Sequence, residues 1–167
     1  ARLRSGFHKT LVCSLIGFLA MMLSQYFSLA ELTASQTADR KGIDNTPSAI
    51  VLANLKVLCY TLDKARILLG RPIFISSGYR SPELNAAIGG SRTSSHISGL
   101  AADFKCPSFG NTMTVFNKLA VSGMMFDQLI AEYPASNTGG WVHIGVGPRN
   151  RRQCLLYDGK SYKEIKV

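Results

Sequence analysis

Negative charge is scarce in this sequence: 10 acidic residues stand against 19 basic ones, a formal net charge of +9. Such an excess draws a protein towards polyanions such as nucleic acid, an anionic membrane or the acidic polymers of a cell wall. It does not choose among them. No block of five like charges occurs, and Arg149, Arg151 and Arg152 form the densest basic cluster. Histidine is scarcer still, with only His8, His96 and His143. The four cysteines, Cys13, Cys59, Cys106 and Cys154, make no CxxC pair and no disulfide-rich spacing, so they fix no redox compartment. Cys59 reads as core packing, and Cys106 as a buried thiol, with a thiolate ligand as the alternative. The apolar run Leu11–Leu23 is shorter than the roughly twenty residues of a spanning helix, so no stable membrane anchor is expected. It has the basic flank of an export signal but no clear cleavage site, and Met22 offers an equally good later start. There is no internal repeat and no low-complexity segment.

What is present suffices for one domain: 167 residues can bury a core but are too few for two domains of ordinary size. Residues 1–25 read as a segment outside the domain and 26–167 as the domain. Ser28-Leu29-Ala30-Glu31 has the pattern of a capping box and opens a short helix. A long helix follows, with Thr46 as its cap and Pro47 in its first turn. Ile50, Leu55, Leu58, Leu62, Ala65 and Leu68 recur at helical spacing, and Gly70 ends it. Ile73–Ser76 reads as a strand, Ser81-Pro82-Glu83 opens a helix that ends at Gly89-Gly90, and Leu100–Phe104 is a strand. Thr112–Val121 is an amphipathic helix. Phe126–Tyr133 and Trp141–Val146 form an antiparallel hairpin. Helices first and antiparallel strands later predict an α+β domain.

The stretch SSHISGLAAD sets His96 and Asp103 on small and polar residues that could hardly build a core. A catalytic zinc takes three protein ligands from His, Asp, Glu or Cys and keeps a further position open. His96 and Asp103 are two candidates. His143, in Gly140-Trp141-Val142-His143-Ile144, is the only other histidine of the domain, and a hydrogen-bonded core or surface role is its plainer reading.

Taken in order, Ser94-x-His96-x-x-Gly99-x-Ala101-x-Asp103 and Trp141-x-His143 resemble the zinc D-alanyl-D-alanine peptidases. These include cell-wall carboxypeptidases, the dipeptidases of vancomycin resistance and several phage endolysins. Ser77-Gly78-Tyr79-Arg80-Ser81, Phe126–Ile130 and Ser28–Leu32 also match, so the resemblance spans about residues 26–165. It implies a hedgehog-like α+β fold with a small antiparallel sheet. It further implies zinc (Zn2+) held by His96, Asp103 and His143, lowering the pKa of a water from about 16 to near 7 and polarising the scissile carbonyl. Because the imidazoles must be neutral, acid should strip the ion. Arg80 would bind a terminal carboxylate or stabilise an oxyanion, with Tyr79, Ser94 and Trp141 also meeting the substrate.

The sequence departs from the family at the general base. Many members carry Glu or Asp three residues before the last zinc histidine, where this chain has Gly140; others have a histidine where it has Trp141. Glu132 is the candidate instead. If the hairpin pairs Glu132 with Trp141, period-two alternation puts Glu132 and His143 on one face. A slip of one residue turns Glu132 away. Asp127 is the second candidate, with a structural role at its strand's start as the simpler reading. The expected function is therefore a zinc metallopeptidase hydrolysing an amide bond in peptidoglycan stem or cross-link peptides, as a D,D- or L,D-carboxypeptidase or an endopeptidase. The alternative is a weak or inactive zinc-containing module that binds wall peptides. A nucleic-acid-binding domain rests on charge alone and finds no reading motif. The expected partner is peptidoglycan and not nucleic acid, and the expected state is a monomer. It would act at the cell wall, in the periplasm or outside the cell, or be phage-encoded and cytoplasmic before lysis.

Overall fold

The structure, a computed structural model, describes residues 21–136 and 139–166. The chain opens with two short helices, α1 (Leu29–Thr33) and α2 (Gln36–Lys41). At α1 both halves of the capping box form, Ser28 accepting from the Glu31 backbone and the Glu31 carboxylate accepting from Ser28. The long helix α3 spans Ala49–Leu69 and ends at Gly70 in the left-handed region (φ 60°). Its cap is Ser48, whose hydroxyl accepts from the Val51 N–H at 3.3 Å, and not Thr46. The Thr46 N–H is held by the Asp44 carboxylate at 2.8 Å, which keeps that segment in a turn and delays the helix. α3 buries Leu55, Leu58, Cys59, Leu62, Ala65 and Leu69, while Ile50 (77% exposed) and Leu68 (37%) lie off that face. Two further helices follow, α4 (Pro82–Ala87), capped by Ser81, and α5 (Thr112–Ala120), capped by Asn111.

Six strands form one sheet: β1 (Phe74–Ser77), β2 (Ala101–Lys105), β3 (Gln128–Glu132), β4 (Trp141–Gly145), β5 (Gln153–Tyr157) and β6 (Tyr162–Glu164), in the order β1-β2-β4-β3-β5-β6. Every pairing is antiparallel except β3 with β5, which is parallel. Helices packed on a largely antiparallel sheet make the fold α+β, as the element order predicted.

Alternation gives the sheet two unlike faces. The back face (Ala102 and Phe104 of β2, Leu129 and Ala131 of β3, Val142 and Ile144 of β4, Cys154 of β5) joins α3 and Val115, Phe116 and Leu119 of α5 in one buried apolar cluster. The front face carries Asp103, Lys105, Glu132, Trp141, His143 and Tyr157, with Ile130 and Leu155 buried among them. A sheet that satisfies its hydrophobic burden on one side leaves the other free for chemistry.

Of the run Leu11–Leu23 and the signal or late-start readings attached to it, residues 11–20 lie outside the described residues. Met21 to Gln25, assigned from sequence to the segment outside the domain, bond to the folded part: the Met21 carbonyl accepts from Leu29 at 2.8 Å and Ser24 donates to Asp63 at 2.8 Å. Among the described residues no helix is long and apolar enough to cross a membrane.

Candidate metal centre

Strand register creates the site. Asp103 of β2 stands directly opposite His143 of β4, so their side chains rise from adjacent points on the front face. His96 arrives from the turn-rich loop between α4 and β2, where the Ser94 hydroxyl accepts from the His96 N–H at 3.4 Å. All three residues are buried, at 3% exposure for His96, 6% for Asp103 and 9% for His143.

Their ligand atoms converge. His96 Nε2 lies 3.3 Å from His143 Nδ1 and 3.3 Å from Asp103 Oδ1, and the last two are 2.8 Å apart. A tetrahedral ion with bonds of about 2.0–2.1 Å keeps its ligand atoms about 3.3 Å from one another. Two imidazole nitrogens and a carboxylate oxygen in a triangle of that size fit a divalent ion such as zinc.

The surroundings fit it too. His96 Nδ1 donates to the Gly78 carbonyl at 2.7 Å, which fixes the tautomer and turns the Nε2 lone pair to the centre. Burial lowers the pKa of His96, more than its bonding to Asp103 raises it, so the ring stays neutral and able to ligate. Burial alone would raise the Asp103 carboxyl, but hydrogen bonds from His143 and His96 prevail and hold it well below the usual carboxylate range. Asp103 divides its oxygens: Oδ1 faces the histidines, while Oδ2 accepts from Arg80 Nη2 at 2.8 Å.

Arg80 is thus oriented by the ligand set. Its Nε donates to Ser77 Oγ at 2.8 Å, and its side chain keeps 16% exposure towards a cleft of about 690 Å³. That cleft is bounded by Arg40, Ser77, Tyr79, Asp103, Lys105 and Trp141 among others. Tyr79 is 6% exposed and packs with the core, so it forms part of the wall. Ser94 bonds within its own loop and shapes the approach of His96.

Glu132 pairs with Trp141 and Ile130 with His143, so Glu132 is on the metal face, one side-chain row from the ligands. It is half-buried, and burial raises its pKa; the charge of Asp103 adds to the rise, while His143, Arg80 and the nearby Trp141 indole oppose it. A Cβ built at Gly140, the usual base position of the family, would lie 1.8 Å from the Glu132 carbonyl oxygen. A side chain there would therefore require the Glu132 and Tyr133 carbonyls to move. Asp127 is occupied elsewhere, accepting from Arg151 Nε at 2.9 Å and Nη2 at 2.5 Å. Cys106 is buried and donates to the Pro72 carbonyl at 3.3 Å, apart from the ligand cluster.

Several supporting groups were not anticipated. Ser77 and the Gly78 carbonyl orient Arg80 and His96. Asn45 brackets Arg80 along the chain, donating to the Tyr79 carbonyl at 3.1 Å and accepting from the Ser81 N–H at 2.7 Å. Lys105 was legible in principle, because it stands two residues beyond Asp103 on the same strand. Asn45 and the Gly78 carbonyl act through contacts distant in sequence and left no local signal.

Among the described residues, His96, Asp103 and His143 form the one group of three or more His, Cys, Asp or Glu residues spaced to hold a metal ion. No curated protein matches the chain. A family model described as Peptidase M15 matches residues 25–144, well over half of the chain, and the match takes in all three ligand positions. On that extent the chain belongs to the Peptidase M15 family, the zinc D-alanyl-D-alanine peptidases, and is by family a hydrolase of the metallopeptidase class.

Proposed function

We propose that the protein is a zinc metallopeptidase that hydrolyses an amide bond in the stem or cross-link peptides of peptidoglycan. One observation carries the reading: the triangle of His96 Nε2, Asp103 Oδ1 and His143 Nδ1, with Glu132 on the same face. A divalent ion held there supplies Lewis acidity, acidifying a water and polarising a carbonyl.

The chain's own residues do the rest. Glu132, made more basic by its half-buried site, takes a proton from the attacking water on its carboxylate and returns it to the leaving amide nitrogen. Arg80, fixed by Ser77 and Asp103, presents the edge of its guanidinium to the cleft, where it can bind a substrate carboxylate or a developing oxyanion. Arg40 and Lys105 line the same cleft together with Glu31 and Asp39, so that it offers partners of both signs to a peptide. The place of action follows from the substrate, at the cell wall.

Gly140 supports a second reading, a wall-peptide binding module without turnover. The test is mass spectrometry of muropeptides after digestion of purified peptidoglycan, with and without chelator. Cleavage is expected, lost with chelator and restored by zinc, and His96→Ala should abolish both zinc and cleavage. Full-rate cleavage by His96→Ala would overturn the ligand assignment. Zinc retained without any cleavage, unchanged by Glu132→Gln, would select the binding module.

A further inference from the structure

Beside the ligands, the front face carries a second ordered row. Glu132 pairs with Trp141 on one side and with Tyr157 on the other, and Tyr157 pairs with Tyr162. The row therefore runs across β4, β3, β5 and β6 at one level. Tyr133 lays its ring into it, 5.1 Å from Trp141 and 5.5 Å from Tyr157, and Tyr157 stacks on Tyr162 at 4.4 Å and 22°. Four rings make an unbroken ladder from the metal centre to the edge of the sheet.

The main core lies on the opposite face, and on this face the ladder runs one row from the buried Ile130 and Leu155. Tyr162 at its far end is 59% exposed. Yet the backbone is strained to hold it. Tyr133 sits at φ 49°, and Gly159 at φ 98° lies where a Cβ would come within 2.7 Å of the Tyr133 ring. Strain kept beside a reactive centre points to use. β5 and β6, which supply the outer rungs, lie beyond the residues 25–144 shared with the family.

The two flanks of the centre also differ in chemistry. The cleft flank is lined by charged groups of both signs, Arg40, Arg80 and Lys105 beside Glu31 and Asp39. Inside the ladder the rings cover one another, and its far end offers the outer side of the exposed Tyr162 ring with its polar rim, which matches a pyranose: a flat C–H face edged by hydroxyls. Aliphatic side chains that would seat an apolar residue are missing from the ladder. We propose that it is a saccharide-binding subsite for the glycan to which the stem peptide is attached, so that the enzyme acts on glycan-linked peptides. This inference rests on the peptidoglycan reading and adds where the cut falls. Strands are about 4.8 Å apart, so Tyr157 and Tyr162 stand about 10 and 14 Å from β4. An extended peptide rises about 3.3 Å per residue, which sets the cut bond within the first few residues of the stem.

The chain's single tryptophan, Trp141, stands on the first rung and reports occupancy by its fluorescence. The full chain, zinc-loaded and metal-free, is titrated with an N-acetylglucosamine tetramer, and kcat/KM is compared for one stem peptide free and linked to its disaccharide. A saturable change in emission is expected in both forms, weakened about five- to tenfold by Tyr162→Ala and retained by Tyr162→Phe. The linked peptide should be favoured about tenfold or more, and Tyr162→Ala should narrow that ratio. No saturable change up to about 10 mM saccharide, or equal kcat/KM for both peptides, overturns the subsite while the peptidase stands. Saccharide binding with neither peptide cut overturns the peptidase reading and leaves the ladder in place.

Discussion

Glu132 owes its proposed role to its surroundings and not to a motif. Half-burial and the neighbouring Asp103 raise its affinity for a proton, and its register with Trp141 sets it on the metal face. Glutamine keeps the shape and removes the basicity. Glu132→Gln is therefore expected to lower kcat about 10²- to 10⁴-fold, the usual contribution of a positioned general base. Zinc content by atomic absorption should not change, because Glu132 stands outside the ligand set. A variant that loses zinc and activity together would make Glu132 part of the metal's support instead. Arg80 acts at the same scale with a split duty: Nη2 steadies Asp103 while the rest of the group faces the cleft. Arg80→Lys supplies charge without the planar fork and should raise KM for carboxylate-bearing substrates, measured by steady-state kinetics.

At the scale of elements, the β3–β4 hairpin joins Glu132, the proposed base, to His143, and Gly140 lets it close. Gly140→Ala forces the Glu132 carbonyl to move. Overpacking of this kind costs about 1–3 kcal/mol, or about 2–12 °C in Tm for a chain of this size. Activity well below Tm should fall as well, because the displaced residue is Glu132 itself. A second clamp ties the start of β3 to the loop before β5, where Arg151 grips Asp127. That hydrogen bonding lowers the Asp127 pKa from its ordinary value. A carboxylate depressed in the folded state stabilises fully above its unfolded pKa, near 4, and the contribution disappears as pH falls through the folded value. Urea midpoints should therefore show an acid-side decline below about pH 4 that is shallower in Asp127→Asn.

The elements also show what a sequence exposes. The long helix was legible because its apolar spacing and its Gly70 stop are local, but its start was misplaced, since Asp44 and Thr46 form a turn that competes with the helix. The helix α2 went unread although Ser35 and Gly42 mark both its ends. β5 and β6 are short strands whose identity comes from pairing with β3 and with each other. The His/Asp/His set was visible through an ordered motif. The aromatic ladder was not, because its rungs come from segments that only the register aligns.

At the scale of the whole molecule, one sheet separates two tasks: the back face holds the core and the front face holds the reactive groups. The cost of that division falls on the centre, where a carboxylate and two imidazoles are buried together. A divalent ion bound only by the native state offsets that cost by mass action, about 2.7 kcal/mol when free metal is a hundredfold above its Kd. At about 2–4 °C per kcal/mol for a chain of this length, zinc in such excess should raise Tm by about 5–10 °C over chelator-treated protein. His96→Ala removes one corner of the triangle and should abolish this difference, whatever it does to the baseline Tm. Differential scanning calorimetry with and without zinc, on both proteins, measures it. Equal shifts in the wild type and in His96→Ala would mean that the ion binds elsewhere, and the convergence of these three side chains would then need a different cause.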